Sequence, residues 1–325
     1  MRDYPYMYAR ASAKKAKLYT EKDYERFLKM EVNEISRKME EGEYSEEINY
    51  FGSEYNGADL IERSLNRNLA NTLEHLLKIS SEDAKPIIRT YLRRFDIINL
   101  KRIIRWKQTD ETEKIEHILY PIGTMGLSFE KIREDSLEEI IEFIEFPDSE
   151  MDYRSEVEKC ETPQEIEACL DRVYSEEIRN LADKTRSKEF KSFVDTEQLY
   201  QDIEVALRMK KYDVPEAEVR SRLTGGKIDE IEDIIQADNL EEAIAKAEEL
   251  TGAEGENLEE LEHSMEQRRL EEALATLHRE PLGLSSVIGY MVAKTIEVEN
   301  LRMIARAKET GIQNKETIRN NLVIA

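Results

Sequence analysis

The sequence is short of the residues that break helices. It holds 12 glycines and 7 prolines in 325 residues, against a usual combined share of roughly 12%. A barrel or sandwich needs such residues at many tight turns, so an all-β chain is excluded. Only two cysteines occur, Cys160 and Cys169. They make no disulfide framework and read as ordinary semi-buried thiols in a helical stretch. Long apolar runs are missing too. The longest, Val287 to Ala293, contains Gly289 and falls far short of the ~20 residues that cross a bilayer. Residues 1–20 lack the apolar segment of a signal peptide, so the expectation is a soluble cytosolic protein. Positive charge is in deficit: 48 Lys and Arg face 71 Asp and Glu, a net charge of −23. That balance argues against general binding to nucleic acid or to an anionic membrane surface.

What is present points to helices. Charged residues make up 37% of the chain and hydrophobic ones 40%, enough for cores at this length. Leu60, Ile61, Leu65, Leu69, Leu73, Leu76 and Leu77 fall on one helix face. Leu137, Ile140, Ile141 and Ile144 repeat that spacing, as do Leu240, Ile244, Ala247 and Leu250. Thr162-Pro163 with Glu165 predicts a capped helix start, and Asp238 before Glu241 and Glu242 another. Thr224-Gly225-Gly226 predicts a helix stop.

Charge is uneven along the chain. Lys85 to Lys107 carries eight basic residues, among them Arg89, Arg93 and Arg94, and one acid, Asp96. Asp229 to Glu272 carries 17 acids and three bases. Such segments read as solvated helix faces or as surfaces for partners of opposite charge, and Lys85 to Lys107 is the first candidate for a partner-facing region.

An internal repeat organises the chain. Asn99-Leu100-Lys101-Arg102-Ile103-Ile104-Arg105-Trp106-Lys107 aligns with Asp202-Ile203-Glu204-Val205-Ala206-Leu207-Arg208-Met209-Lys210 and with Asn300-Leu301-Arg302-Met303-Ile304-Ala305-Arg306-Ala307-Lys308. Each block has Asn or Asp, then an aliphatic residue, then Arg six positions on and Lys eight on. The blocks lie 103 and 98 residues apart. A helix is expected before each (Ile87 to Phe95, Phe190 to Val194, Val287 to Ile296). A short one is expected after each (Ile115/Ile118/Leu119, Val219/Leu223, Ile318/Leu322). The fold expected is all-α, with three pseudo-repeated helical-bundle units of about 100 residues set in an arc or around a pseudo-threefold axis. The expected units are 1–125, 126–228 and 229–325. A concave surface of that kind suits binding more than catalysis.

Catalytic patterns are wanting. Gly225-Gly226-Lys227 is followed by Ile228, with no hydroxyl for magnesium. There is no G-x-S-x-G, and the histidines His75, His117, His263 and His278 are scattered. Only Glu260-Leu261-Glu262-His263 gives Glu-x-x-His, where a helical di-iron site uses two such motifs. No catalytic, cofactor or metal residues are therefore assigned. The repeated arginines Arg105, Arg208 and Arg306 either lay their stems on the core and pair with carboxylates between helices, or face the concavity and contact a partner. Asn99, Asp202 and Asn300 could bond a neighbouring backbone or these arginines, and Lys107, Lys210 and Lys308 complete the candidate set.

These residues resemble a known family. Glu297 to Lys308, the opening Tyr6-Met7-Tyr8-Ala9-Arg10 with Leu18, Tyr24 to Leu28, Tyr44 and Glu46-Glu47-Ile48, and the middle block with Thr224-Gly225-Gly226 resemble the C subunit of archaeal A-type ATP synthases. That is the family of the d subunit of the eukaryotic V-ATPase. The likeness runs over nearly the whole chain. The departures are Asp202 in place of Asn, Tyr120-Pro121-Ile122-Gly123 without a double glycine, and a third block close to the end of the sequence. The resemblance implies a funnel of three similar units, without catalytic activity or cofactor of its own. It implies one copy per complex, peripheral on the cytoplasmic face of the membrane. Its implied partners are the rotor ring, which carries protons or sodium ions, and the central shaft, between which it transmits torque. The alternatives are a helical-repeat adaptor of another complex and a helical enzyme using metal-bound carboxylates.

Overall fold

The computed structural model describes residues 5–109, 115, 119–123, 129–185, 187–279, 283–312 and 314–324. Among these residues the secondary structure is helical throughout, with no strand. In chain order the α-helices are α1 (Pro5–Lys15), α2 (Glu21–Phe27), α3 (Val32–Glu40), α4 (Ser45–Phe51), α5 (Gly57–Ile79), α6 (Lys85–Gln108), α7 (Phe129–Glu134), α8 (Leu137–Glu142), α9 (Tyr153–Val157), α10 (Pro163–Lys184), α11 (Lys188–Lys211), α12 (Glu216–Arg222), α13 (Glu232–Gln236), α14 (Leu240–Thr251), α15 (Leu258–Arg279), α16 (Leu284–Glu309) and α17 (Lys315–Asn320). A short 3-10 turn, Ile228–Ile231, precedes α13. No helix among the described residues is long and apolar enough to cross a membrane.

The chain divides into two compact units, residues 81–265 in one and residues 2–80 with 266–325 in the other. In the first, α6 packs on α10 and α11 packs on α10 and α14. One apolar cluster gathers Ile203, Leu207, Ile231, Ile235, Ala247, Leu261 and Met265. Another gathers Leu100, Ile104, Phe146, Tyr153, Val157, Leu170 and Val173. In the second unit α16 packs on α5 and α1. The segment Leu284 to Val298 is buried on every side, which explains why its apolar run shows no amphipathic period. In α5, Leu60, Ile61, Leu65, Leu69, Leu73 and Leu76 are buried, as their spacing predicted.

Local sequence sets the helix ends. Thr162 accepts from the Glu165 amide at 3.2 Å, and Pro163 fills the first turn of α10, where its missing N–H costs nothing. The start of α14 differs from expectation by one residue. Asn239 is the cap, its Oδ1 accepting from the Glu242 amide at 2.9 Å, while the Asp238 amide donates to the Glu242 carboxylate. The helices expected before the blocks are not separate: each is continuous with its block in α6, α11 or α16. No Pro or Gly lies between to stop them. Of the short helices expected after the blocks, Val219 lies in α12 and Ile318 in α17. Ile118 lies outside the described residues.

Candidate functional site

The three blocks occupy the C-terminal halves of α6, α11 and α16, and each presents the same core face. Leu100, Ile203 and Leu301 are buried, as are Ile103, Ala206 and Ile304, and Ile104, Leu207 and Ala305. With that face inward, the polar positions make the same three bonds in each block.

The first is a clasp on a segment further along the chain. Asn99 donates Nδ2 to the Tyr120 carbonyl and accepts from the Tyr120 amide, both at 2.9 Å. Asn300 does the same with Val323, at 2.7 Å to the carbonyl and 3.0 Å from the amide. Asp202 accepts from the Thr224 amide at 2.7 Å and from the Thr224 hydroxyl at 2.9 Å. The departure at Asp202 thus has a chemical reason. A carboxamide matches the donor and acceptor of one peptide unit, whereas a carboxylate, which only accepts, meets two donors of Thr224. Gly123, after the first clasped segment, has φ +139, and a Cβ there would fall 2.0 Å from an Asp96 carboxylate oxygen. Glycine is required at that position.

Burial pushes the Asp202 carboxyl above its ordinary pKa, partly offset by the Thr224 bonds. A carboxyl raised in the folded state favours folding at low pH, and that contribution is lost as pH rises through the folded pKa. Asp202→Asn can keep both Thr224 contacts, with Nδ2 donating to the hydroxyl. Its stability relative to the natural chain should therefore increase as pH rises from the ordinary carboxylate range to neutrality. Hydrogen exchange of α11 peptides in the variant and the natural chain at pH 4.5 and pH 7 checks this, and an advantage independent of pH would be the contrary result.

The second bond joins each block helix to another long helix. Arg105 forms a two-point bridge to Glu167 of α10, at 2.9 and 2.5 Å. Arg208 reaches Glu262 of α15 at 2.6 Å. Arg306 Nε reaches Glu62 of α5 at 3.0 Å, with Asp59 and Glu309 also bridged. The first bridge thus ties α6 to α10, the second α11 to α15, and the third α16 to α5. The accepting glutamates share a signature that the blocks alone do not reveal: Ile61-Glu62, Ile166-Glu167 and Leu261-Glu262, each followed three residues later by Leu65, Leu170 or Met265. All six apolar residues are buried.

The third bond caps a short helix. Lys107 donates to the Arg133 and Asp135 carbonyls at the end of α7, at 3.2 and 2.6 Å. Lys210 donates to the Ile235 and Ala237 carbonyls at the end of α13, at 2.8 and 2.7 Å. Lys308 donates to the Leu28 carbonyl at the end of α2, at 3.1 Å. An ammonium suits the carbonyl end of a helix, where the dipole is negative. The third block therefore uses a helix from the start of the chain for the contact that the first two make downstream.

Six residues before the clasp the blocks diverge, with Arg93, Thr196 and Lys294. Arg93 is wholly buried. It bonds Glu177, lies 3.1 Å from Asp148, and stacks over Phe146 at 4.8 Å. Glu177 also accepts from the hydroxyls of Ser149 at 2.6 Å and Tyr153 at 2.7 Å. Lys294 is 3% exposed and donates to Glu297 at 2.8 Å and to the Tyr44 hydroxyl at 2.7 Å. Beside this second network lies a cavity of about 240 Å³ lined in part by Lys15, Tyr19, Tyr24, Glu297 and Asn300.

The basic stretch from Lys85 to Lys107 is occupied within its own unit. Lys85 pairs with Glu82 at 2.5 Å, Arg89 with Asp148 at 3.6 Å, Arg94 with Glu197 at 4.0 Å and Lys101 with Asp171 at 2.5 Å. Arg102 lies over the Tyr120 ring at 4.4 Å. As a partner-facing surface the stretch needs one correction: Arg93 faces the core, not solvent. Sequence spacing puts it in a run of cations, but its helical phase points it inward. Among the described residues no cluster of His, Cys, Asp and Glu could hold a metal ion. His117 and the side chain of His278 lie outside them.

The family model for the ATP synthase (C/AC39) subunit matches residues 7–321. The chain belongs to the ATP synthase (C/AC39) subunit family. Relatives agree along their whole lengths. A protein of Halorubrum lacusprofundi, named as the C subunit of an A-type ATP synthase, is 32% identical over 98% of this chain and 97% of its own. One of that name from Methanosarcina mazei is 31% identical over 99% of this chain and 93% of its own. One from Archaeoglobus fulgidus is 27% identical over 98% and 96%. This member of the C/AC39 family thus carries the family pattern over essentially its full length, and the threefold set of clasp, bridge and cap lies almost wholly within the matched region.

Proposed function

We propose that the chain is a non-catalytic central-stalk subunit of an A-type ATP synthase. In this reading it is a socket that couples the shaft to the membrane ring and passes torque between them, with protons or sodium ions driving the ring. It would sit peripherally on the cytoplasmic face, one copy per complex, held through the ring. The observation that carries the reading is the family match over residues 7–321, together with relatives of nearly equal length that bear the C-subunit name. The bonding supports it. A part that passes torque must resist shear, and each long block helix is tied to another long helix, to a short helix and to a distant segment. Close-packed helical cores supply the remaining stiffness.

The test is a pulldown from native membranes in mild detergent, with a tag at the C-terminus and, in a second preparation, a tag in an exposed loop. Ring and shaft subunits should come down with both tags in stoichiometric amounts. Recovery of the chain with neither set, from both preparations, would overturn the socket reading and favour an adaptor for another complex.

A further inference from the structure

The unit formed by residues 2–80 and 266–325 holds a group of cations without counter-charges. Arg10 and Lys14 stand one turn apart on α1, whose Met7 and Ala11 face the core. His75 and Lys78 stand one turn apart near the end of α5. The two helices pack together, and Arg10 Nη2 meets His75 Nε2 at 3.5 Å. Helical spacing therefore gathers Lys14 and Lys78 around that contact. Among the described residues no carboxylate pairs with Arg10, Lys14 or Lys78. Glu43, the acid that acts on Lys14, is already bonded to Lys17 at 2.5 Å. Burial, then Arg10, Lys14 and Lys78, hold the His75 imidazole below its ordinary pKa. Burial above all does the same to the Lys14 ammonium. Cations kept together in a chain of net charge −23 need an offset that the chain does not provide with a carboxylate. The carbonyl ends of α1 and α5 supply part of it through the helix dipole. An anion held between the two helices supplies the rest.

We propose that Arg10, Lys14, His75 and Lys78 form a binding site for a phosphate-bearing anion of two or more charges. The Arg10 guanidinium offers a planar fork that matches two phosphate oxygens. With the imidazole neutral, His75 Nε2 can accept from Arg10, which holds the guanidinium across the two helices. Lys14 and Lys78 add point charges from either helix. A free polyphosphate and a phosphomonoester lipid headgroup share this chemistry.

Inorganic tripolyphosphate titrated calorimetrically into the full-length protein should bind at about one equivalent per chain. Arg10→Gln with Lys14→Gln should lower the affinity by at least about tenfold. Lys188→Gln with Lys211→Gln removes the same charge from α11 and should leave the affinity within about twofold of the natural chain. Acetic anhydride footprinting gives a reading that needs no variant: tripolyphosphate should protect Lys14 and Lys78 in the natural chain and leave Lys188 and Lys211 reactive. Vesicles of phosphatidylcholine with phosphatidic acid separate the sources. Flotation with these vesicles that Arg10→Gln with Lys14→Gln abolishes assigns a headgroup, and binding of tripolyphosphate alone assigns a soluble ligand. Binding of neither probe, equal losses in the two double variants, or uniform protection of all four lysines would overturn the proposal. So would a Glu-rich peptide that binds in preference to tripolyphosphate, which would give the site to an acidic protein segment.

Discussion

Glu297→Ala should destabilise the unit formed by residues 2–80 and 266–325 by about 3–5 kcal/mol. Glu297 is 4% exposed and its carboxylate accepts three bonds: from the Tyr19 amide at 2.6 Å, the Tyr44 hydroxyl at 2.6 Å and the Lys294 ammonium at 2.8 Å. Burial and the adjacent Glu297 charge hold the Tyr44 hydroxyl well above its ordinary pKa, so it stays protonated and donates. Removal of the carboxylate leaves a buried ammonium with only the Tyr44 oxygen and ring, the ring centroid at 4.2 Å. A desolvated cation without its counter-charge is the costly outcome, more so than loss of the pair together. Glu297→Ala with Lys294→Met should therefore recover much of the loss. Because the chain has two compact units, one global transition is a poor reading. Hydrogen exchange of peptides from α16 reports the unit directly, and protection should fall in the single variant and return in the double one. A single variant with protection within about 1 kcal/mol of the natural chain would mean that the network is open to water.

The long helices were legible in the sequence because their apolar faces repeat at helical spacing, and the three blocks because identical bonds need similar residues. The bonding partners were hidden for different physical reasons. The clasps of Asn99 and Asn300 end on backbone groups of Tyr120 and Val323, and any residue supplies those. Only at Thr224 does a side chain join, and there the block changes to Asp202. The glutamates that meet the arginines were readable in principle, since Glu62, Glu167 and Glu262 each follow a buried aliphatic residue near a helix start. Among 71 acids that pattern stands out only once the pairing of helices is known. The capping of α2 by Lys308 was hidden by chain order: block and short helix lie 280 residues apart, at opposite ends of the sequence. Arg93 was misleading because net charge along a segment says nothing of helical phase.

Two glutamates on α10 should separate the strong bonds from the repeated ones. Glu177→Ala should cost the unit formed by residues 81–265 about 3 kcal/mol or more, and Glu167→Ala no more than about 1 kcal/mol. Both carboxylates bind an arginine of α6. Arg93 is fully buried, so without Glu177 it keeps only Asp148 and the Phe146 face, and the Ser149 and Tyr153 hydroxyls lose their acceptor. The Arg105 side chain is 65% exposed, so water takes the place of Glu167. Hydrogen exchange of α6 and α10 in the two variants checks the difference, and equal losses would show that exposure does not set the cost. The contrast assigns the two kinds of bond different work. Buried Arg93 and Lys294 stand at the same place relative to Asn99 and Asn300, with Thr196 between them in the series, so this strong network belongs to the outer blocks alone. The Arg–Glu bridge is weak and exposed, yet it recurs in all three blocks and always joins the block helix to another long helix. A weak bond kept in the same place three times contributes little to stability, but a cation and a carboxylate brought face to face favour one helix register over those that set like charges together.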